Sequence, residues 1–94
     1  MPLSNQLFQN APNPVRYKTL IAFQLEKPGA VSLKIYNLNG QLVRTLASGQ
    51  HNSGYHQAMW DAKDDAGRKV ADGVYIYKLA CGEFNHAKKM VLVK

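Results

Sequence analysis

The chain has 94 residues and a mass of 10.5 kDa, a length typical of one domain. Its 46% hydrophobic and 19% charged residues argue against a disordered chain, and no apolar run approaches the roughly 20 residues that a membrane-spanning helix needs. Twelve Lys and Arg residues outnumber six Asp and Glu residues, but no basic run exceeds a pair, which argues against a nucleic-acid-binding stripe. The single cysteine, Cys81, excludes an internal disulfide.

Residues 1–18 are rich in Asn, Gln and Pro, and we predict an extended lead-in or linker there, with room for a short edge strand. Over residues 19–94 the apolar residues recur with a period of two and with no helical stripe. The predicted strands, in chain order, are 19–25, 31–36, 41–46, 55–60, 74–79 and 84–94. This pattern predicts an all-β fold, an antiparallel β-sandwich of about seven strands.

Glycine and proline predict the connections between these strands. Lys27-Pro28-Gly29 predicts a turn in which the glycine takes a positive φ. Asn39-Gly40 predicts a type I′ hairpin turn, because both residues tolerate the left-handed backbone that this turn requires. Residues 48–54 are polar and predict a loop.

The sequence contains none of three motifs that are typical of enzymes. There is no nucleophile elbow, no phosphate-binding glycine loop and no zinc-protease motif. His51, His56 and His86 are isolated and have no spacing that suggests zinc. His56 alternates with Ala58 and Trp60, so we interpret it as a packed, hydrogen-bonded imidazole in preference to a ligand or base. We expect no catalytic residue, no cofactor and no metal.

Asp61, Asp64 and Asp65 invite a calcium interpretation, because hard oxygen ligands gather near a glycine. Their spacing is not that of the EF-hand loop, and no bidentate Glu follows at its last position. Aspartates in turns usually accept hydrogen bonds from backbone amides. We therefore favour caps over metal ligands at these three positions.

The aromatic residues suit either a core or a sugar-binding platform. Alternation within the predicted strands favours the core for Tyr36, Tyr55, Tyr75, Tyr77 and Trp60. Trp60 and Tyr75 are the expected core anchors, each with a polar tip that needs a partner. Residues 72–75 also resemble a tyrosine corner, in which the hydroxyl bonds a nearby backbone group.

Four motifs stand in a fixed order along the chain. Residues 7–14 read LFQNAPNP, and residues 28–37 read PGAVSLKIYN ahead of a glycine. A Trp-Asp pair is then followed by Gly67 and by Gly-Val-Tyr, and residues 89–94 read KMVLVK. This ordered set, from about Leu7 to Lys94, resembles the C-terminal sorting domain of the type IX (Por) secretion system, a relative of the Ig-like domain of the flagellar hook-capping protein. The chain departs from the family at residues 15–18, where a second Asn-Pro and a Thr-rich segment are common, so the start of the first strand stays open.

The resemblance implies an Ig-like sandwich over residues 19–94 that is recognised and is not catalytic. Its partners would be the outer-membrane translocon, a sortase and a cargo domain N-terminal to it. The protein would cross the periplasm to the cell surface or beyond, as a monomer. The implied recognition residues are Lys89, Met90, Val91, Leu92, Val93 and Lys94. The structural motif residues are Gly29, Gly40, Trp60, Asp61, Gly67, Gly73 and Tyr75.

Two other functions stay open. The first is an Ig-like accessory module, a spacer or stabiliser of a multidomain secreted enzyme or of a hook-cap-type protein. The second is a carbohydrate-binding module, which would need several aromatic side chains exposed on one face. A sorting signal is expected at the end of its polypeptide, and this feature separates the sorting domain from the accessory module.

Overall fold

The computed structural model describes residues 4–93 as a sandwich of two antiparallel sheets. The strands are β1 (Gln6–Leu7), β2 (Thr19–Leu25), β3 (Gly29–Asn37), β4 (Leu42–His51), β5 (Gly54–Trp60), β6 (Gly73–Cys81) and β7 (Phe84–Leu92). One sheet has the order β1-β2-β5 and the other β4-β3-β6-β7. The predicted all-β antiparallel sandwich of about seven strands is confirmed. No helix that could cross a membrane is found in residues 4–93.

The period-two pattern is the reason that the strands form a sandwich, because it gives each strand one apolar side. On β2 the inward residues Ile21, Phe23 and Leu25 are all buried, as the alternation predicts. The core between the sheets is completed by alternate residues of β3, β6 and β7, namely Val31, Leu33, Ile35, Tyr75, Tyr77, Leu79, Met90 and Leu92. β3 and β6 are adjacent in the sheet although β4 and β5 lie between them in sequence.

The predicted return strand 41–46 is too short, and the predicted loop 48–54 is wrong. β4 continues to His51, pairing Gly49 with Val31 and His51 with Gly29. Only residues 52 and 53 separate β4 from β5. The polar composition of 48–51 reflects the position of β4 at the edge of its sheet, where side chains meet water while the backbone still pairs.

In two of the predicted turns the observed backbone conformation differs from the prediction. Gly29 is not at a positive φ; it begins β3 and pairs with His51. Gly40 does have a positive φ, +81°, but Asn39 does not, which excludes the type I′ turn. Instead the Gly40 amide donates to the Asn37 carbonyl at 3.0 Å, and Asn37 pairs with Gln41. The connection is therefore a longer hairpin loop whose last residue is a left-handed glycine.

The lead-in packs against the sandwich where the structure describes it. The predicted edge strand is present as β1, which pairs Leu7 with Phe23. Leu7 and Val15 are buried in the core, and Asn10 is 3% exposed. The side-chain amide of Asn10 donates to the Pro12 carbonyl at 3.1 Å and to the Thr19 hydroxyl at 3.0 Å. Composition alone does not reveal these long-range partners.

Candidate recognition surface

Of the predicted recognition residues, Lys89, Met90, Val91 and Leu92 lie on β7, an edge strand of the four-stranded sheet, and Val93 follows it. Met90 and Leu92 point into the core and are buried. Lys89 and Val91 are exposed, and Val93 is half-buried. The set is therefore split between the two faces of the sheet, as the pleat of a strand requires. The sixth predicted residue, Lys94, lies outside the described residues.

The backbone edge of β7 is covered by the lead-in at the level of these residues. Val15 pairs with Leu92 in parallel: its amide donates to the Val91 carbonyl at 2.7 Å, and its carbonyl accepts from the Val93 amide at 2.8 Å. The Asn13 side-chain oxygen accepts from the Val91 amide at 3.0 Å. The Gln9 side-chain amide donates to the Lys89 carbonyl at 2.9 Å. An added strand would therefore have to displace the lead-in.

The exposed residues of β7 continue a basic surface across the sheet, which we call the basic face: Lys34, Tyr36, Ile76, Lys78, Lys89 and Val91. Cross-strand pairs connect it, with Lys34 opposite Lys78, Tyr36 opposite Ile76, and Ile76 opposite Lys89. The Lys78 ammonium lies 5.2 Å from the centre of the Tyr36 ring. Like charges placed directly opposite repel each other, so this surface favours an acidic partner.

The Trp-Asp motif organises the loop that follows β5. Trp60 is fully buried, as predicted, and its indole N–H donates to the Lys63 carbonyl at 2.9 Å. Asp61 accepts a hydrogen bond from the Arg44 guanidinium of β4 at 3.1 Å. Because Arg44 belongs to the opposite sheet, this contact ties the loop to both sheets. Ala62, which lies between Asp61 and Lys63, has a positive φ of 62°, a conformation that the sequence did not indicate.

Three further structural motif residues, Gly67, Gly73 and Tyr75, lie in this loop or at the start of the strand that follows it. Gly67 has a φ of +83° and closes the turn in which its amide donates to the Asp64 carbonyl at 2.9 Å. Gly73 begins β6. Tyr75 packs edge-to-face on Trp60 with ring centres 5.5 Å apart, and its hydroxyl donates to the Ala71 carbonyl at 2.5 Å. The predicted tyrosine corner and core anchors are confirmed.

The three aspartates cap backbone amides, as favoured from the sequence. Asp61 accepts from the Lys63 amide at 3.3 Å, and Asp65 accepts from the Thr45 amide at 3.1 Å. Asp64 accepts from the amides of Arg68 and Ala66 at 2.9 and 3.0 Å. The hydrogen bond from the Arg68 amide, with the nearby guanidinium, lowers the pKa of the Asp64 carboxyl. Among residues 4–93 no three His, Cys, Asp or Glu side chains form a metal-binding group.

Because these carboxylate oxygens already serve amides and guanidinium groups, we expect thermal melts in millimolar calcium and in excess chelator to coincide. The melts are to be followed by far-UV circular dichroism on the same protein sample. A calcium-induced rise of several degrees would show selective binding to the native state and would reassign the aspartates as ligands.

The aromatic residues do not all lie in the core. Tyr75 and Tyr77 are buried, as predicted, and Tyr36 is partly buried on the basic face. Tyr55 is 59% exposed on the outer side of β5, so its core assignment is wrong. It contacts Phe8, with ring centres 6.0 Å apart. The inward side of β5 carries His56, Ala58 and Trp60, which leaves Tyr55 on the opposite side of the pleat.

The structure brings together two histidines that the sequence interpretation treated as isolated. The ring centres of His51 and His56 lie 5.2 Å apart. His56 is half-buried, stacks on Phe23 and has its Nε2 2.7 Å from the Asn52 carbonyl, as expected of a packed imidazole. The sequence held one signal that these two histidines could come together, because a His-x4-His pair lies within the range of known metal-binding spacings. The predicted loop at 48–54 obscured it.

These features define the chain as an Ig-like β-sandwich domain with a basic outer face on its four-stranded sheet. A family model described as the FlgD Ig-like domain matches residues 16–82, which is more than half of the chain. The chain belongs to the FlgD Ig-like domain family, a family of structural domains. No curated protein sequence matches it.

Solved structures share the fold. Dimeric latent PorU from Porphyromonas gingivalis is similar with a TM-score of 0.77 and 23% identity over 95% of this chain and 9% of PorU. PorZ, an essential surface component of the type-IX secretion system of the same organism, has a TM-score of 0.65 and 21% identity over 94% of this chain and 11% of PorZ. FlgD from P. aeruginosa has a TM-score of 0.62 and 20% identity, over 81% of this chain and 64% of the FlgD chain. The chain spans less than two thirds of each of these proteins.

Proposed function

We propose that this Ig-like domain is a non-catalytic sorting domain that directs a cargo protein across the outer membrane through a type IX secretion system. The observation that carries the proposal is the ordered set of motifs that ends in residues 89–94. The fold shared with PorZ, a surface component of that system, supports it. The cargo would precede this domain in the polypeptide, and the translocon and a sortase would act on it during passage from periplasm to cell surface.

The basic face is the surface that we propose the translocon reads. Its side chains point away from the core, so a partner can bind them without disturbing the sandwich. Lys78 and Lys89 are exposed there beside the apolar Val91. Strand addition is less suited to residues 89–93, since Val15 already pairs with that edge. We therefore expect recognition through side chains, with an acidic surface on the partner.

The test is an export assay in a type IX-competent host with a reporter fused ahead of the domain. We expect the double substitution Lys78→Glu, Lys89→Glu to leave the domain folded and to lower the amount of reporter at the surface roughly tenfold or more, because like charges at an interface cost several kcal/mol. The reporter should accumulate in the periplasm, as measured by fractionation. The matched control is Lys27→Glu, Lys69→Glu, which makes the same charge change at two exposed positions outside the basic face.

Deleting residues 93 and 94 tests directly whether residues 89–94 are recognised during export. The deletion also removes the hydrogen bond from the Val93 amide to the Val15 carbonyl, so a melt of the truncated domain must accompany the assay. Loss of export from a domain that still melts cooperatively supports a sorting role.

The alternative is an Ig-like accessory module, which the match to the FlgD family favours. If the charge-reversed and truncated fusions both reach the surface as well as the intact one, this alternative is the better account. The same module would then serve as a spacer or stabiliser of its neighbouring domains.

A further inference from the structure

His51 and His56 lie on either side of the shortest connection between the two sheets. His51 ends β4 in the four-stranded sheet, and His56 lies in β5 of the other sheet, across the connection at residues 52 and 53. Their rings are nearly perpendicular, with centres 5.2 Å apart. Each ring therefore belongs to a different layer of the sandwich although only four residues separate them in the chain.

A backbone carbonyl bonds one nitrogen of each ring. His51 Nδ1 lies 3.0 Å from the Gly49 carbonyl, and His56 Nε2 lies 2.7 Å from the Asn52 carbonyl. A carbonyl can only accept, so the bonded nitrogen carries the hydrogen and the other nitrogen of a neutral ring holds a lone pair. Metal-binding histidines show the same arrangement, in which the second nitrogen donates to a carbonyl and holds the ring in place.

The surroundings suit a cation. Both rings line an open cleft of about 420 Å³, whose other lining residues are Phe23, Leu46, Ala47, Ser48, Gln57, Ala58 and Met59. None of these residues is charged, although the chain carries a net charge of +6. Phe23 packs against both imidazoles, with ring centres 5.9 and 5.2 Å away. A bound cation would meet no fixed positive charge among these lining residues.

We propose that His51 and His56 bind a divalent transition-metal cation that prefers imidazole nitrogen, namely Zn²⁺, Ni²⁺ or Cu²⁺. Among residues 4–93 no carboxylate or thiolate lines the cleft, which disfavours Ca²⁺ and Mg²⁺ and leaves the two imidazole nitrogens as the ligands proposed here. With metal–nitrogen bonds of about 2.0–2.1 Å, two rings in tetrahedral coordination have centres roughly 5 Å apart, close to the observed separation. Water would complete the coordination, and the ion would join the two sheets at the β4–β5 connection.

The first test is isothermal titration of tag-free protein with Zn²⁺, and separately with Ni²⁺, near neutral pH. We expect one ion per chain, and an affinity at least roughly tenfold weaker in each of His51→Gln and His56→Gln. The matched control is His86→Gln, because His86 lies on β7 beside Phe84 and away from the cleft. Its affinity should stay within about twofold of the wild type. Equal loss in all three variants, or no loss in any, overturns the proposal.

The second test uses the wild-type protein and does not depend on the folding of variants. Added Zn²⁺ should shift the imidazole NMR resonances of His51 and His56 and leave those of His86 unchanged. It should also raise the melting temperature by at least about 5 °C at a concentration 100 times the dissociation constant, because the ion binds the native pair selectively. Unchanged resonances for this pair at millimolar Zn²⁺ overturn the proposal. Since no step involves residues 89–94, this result is independent of the sorting assay.

Discussion

Replacing Trp60 by alanine is expected to lower the free energy of unfolding by about 3–5 kcal/mol. The side chain is fully buried, packs edge-to-face on Tyr75 and donates its indole N–H to the Lys63 carbonyl. Alanine would leave a cavity between the sheets and remove one of the two hydrogen bonds to the Lys63 carbonyl, which also accepts from the Arg44 guanidinium at 3.3 Å. A domain of this size has a total stability of only about 5–14 kcal/mol, so the variant should be close to unfolding at 37 °C.

The measurement is urea unfolding followed by far-UV circular dichroism, because the variant loses the only tryptophan of the chain. The midpoint should fall while the slope stays unchanged. Met59→Ala is the matched control, since Met59 is the neighbouring residue on the outer side of β5 and is 54% exposed. Its cost should be within about 0.5 kcal/mol. Equal losses in the two variants would contradict a core role for Trp60.

Replacing Tyr77 by phenylalanine is expected to cost about 1–3 kcal/mol at neutral pH, because it leaves buried backbone groups unpaired. The Tyr77 hydroxyl accepts from the Asn10 amide at 2.9 Å and donates to the Phe8 carbonyl at 2.7 Å. These bonds join the lead-in to the four-stranded sheet. The variant should therefore loosen residues 5–15, which amide hydrogen exchange can follow while the remaining strands stay protected.

The same hydroxyl predicts an alkaline dependence of stability. Burial raises the pKa of Tyr77 from 10.0 to about 12, so between these values the native state keeps a proton that the unfolded chain has lost. The contribution of Tyr77 is complete below pH 10 and declines as the pH rises through 12. The difference in unfolding free energy between wild type and Tyr77→Phe should therefore shrink over this range.

Tyr55→Phe is the matched control for the stability measurement, because the Tyr55 hydroxyl is on an exposed residue and accepts from the exposed Gln57 side chain. We expect little change in the free energy of unfolding at neutral pH. A constant difference between wild type and Tyr77→Phe from pH 8 to 12 would rule out the buried titration.

The sequence by itself determined the local features, because these depend on alternation and on single residues. The period of two placed Ile21, Phe23 and Leu25 on the inward side of β2, and the same pattern assigned Trp60 and Tyr75 to the core. The tyrosine corner and the caps made by Asp61 and Asp64 also followed from short-range chemistry, since their partners lie within four residues. The partner of Asp65, the Thr45 amide, is 20 residues away. The ordered motifs resemble the type IX sorting domain, a relative of the flagellar hook-capping Ig-like domain, and the family match establishes the FlgD Ig-like domain family.

Only the tertiary structure decided the contacts between segments far apart in sequence. The pairing of Val15 with Leu92, the Tyr77 hydrogen bonds to the lead-in and the extension of β4 to His51 all depend on which backbone groups find partners across the sheets. A polar segment such as 48–51 looks like a loop until an adjacent strand is present to bond it. The meeting of His51 and His56 has the same origin. Each ring belongs to a different sheet, and their separation is set by the stacking of the two layers and not by the four residues between them.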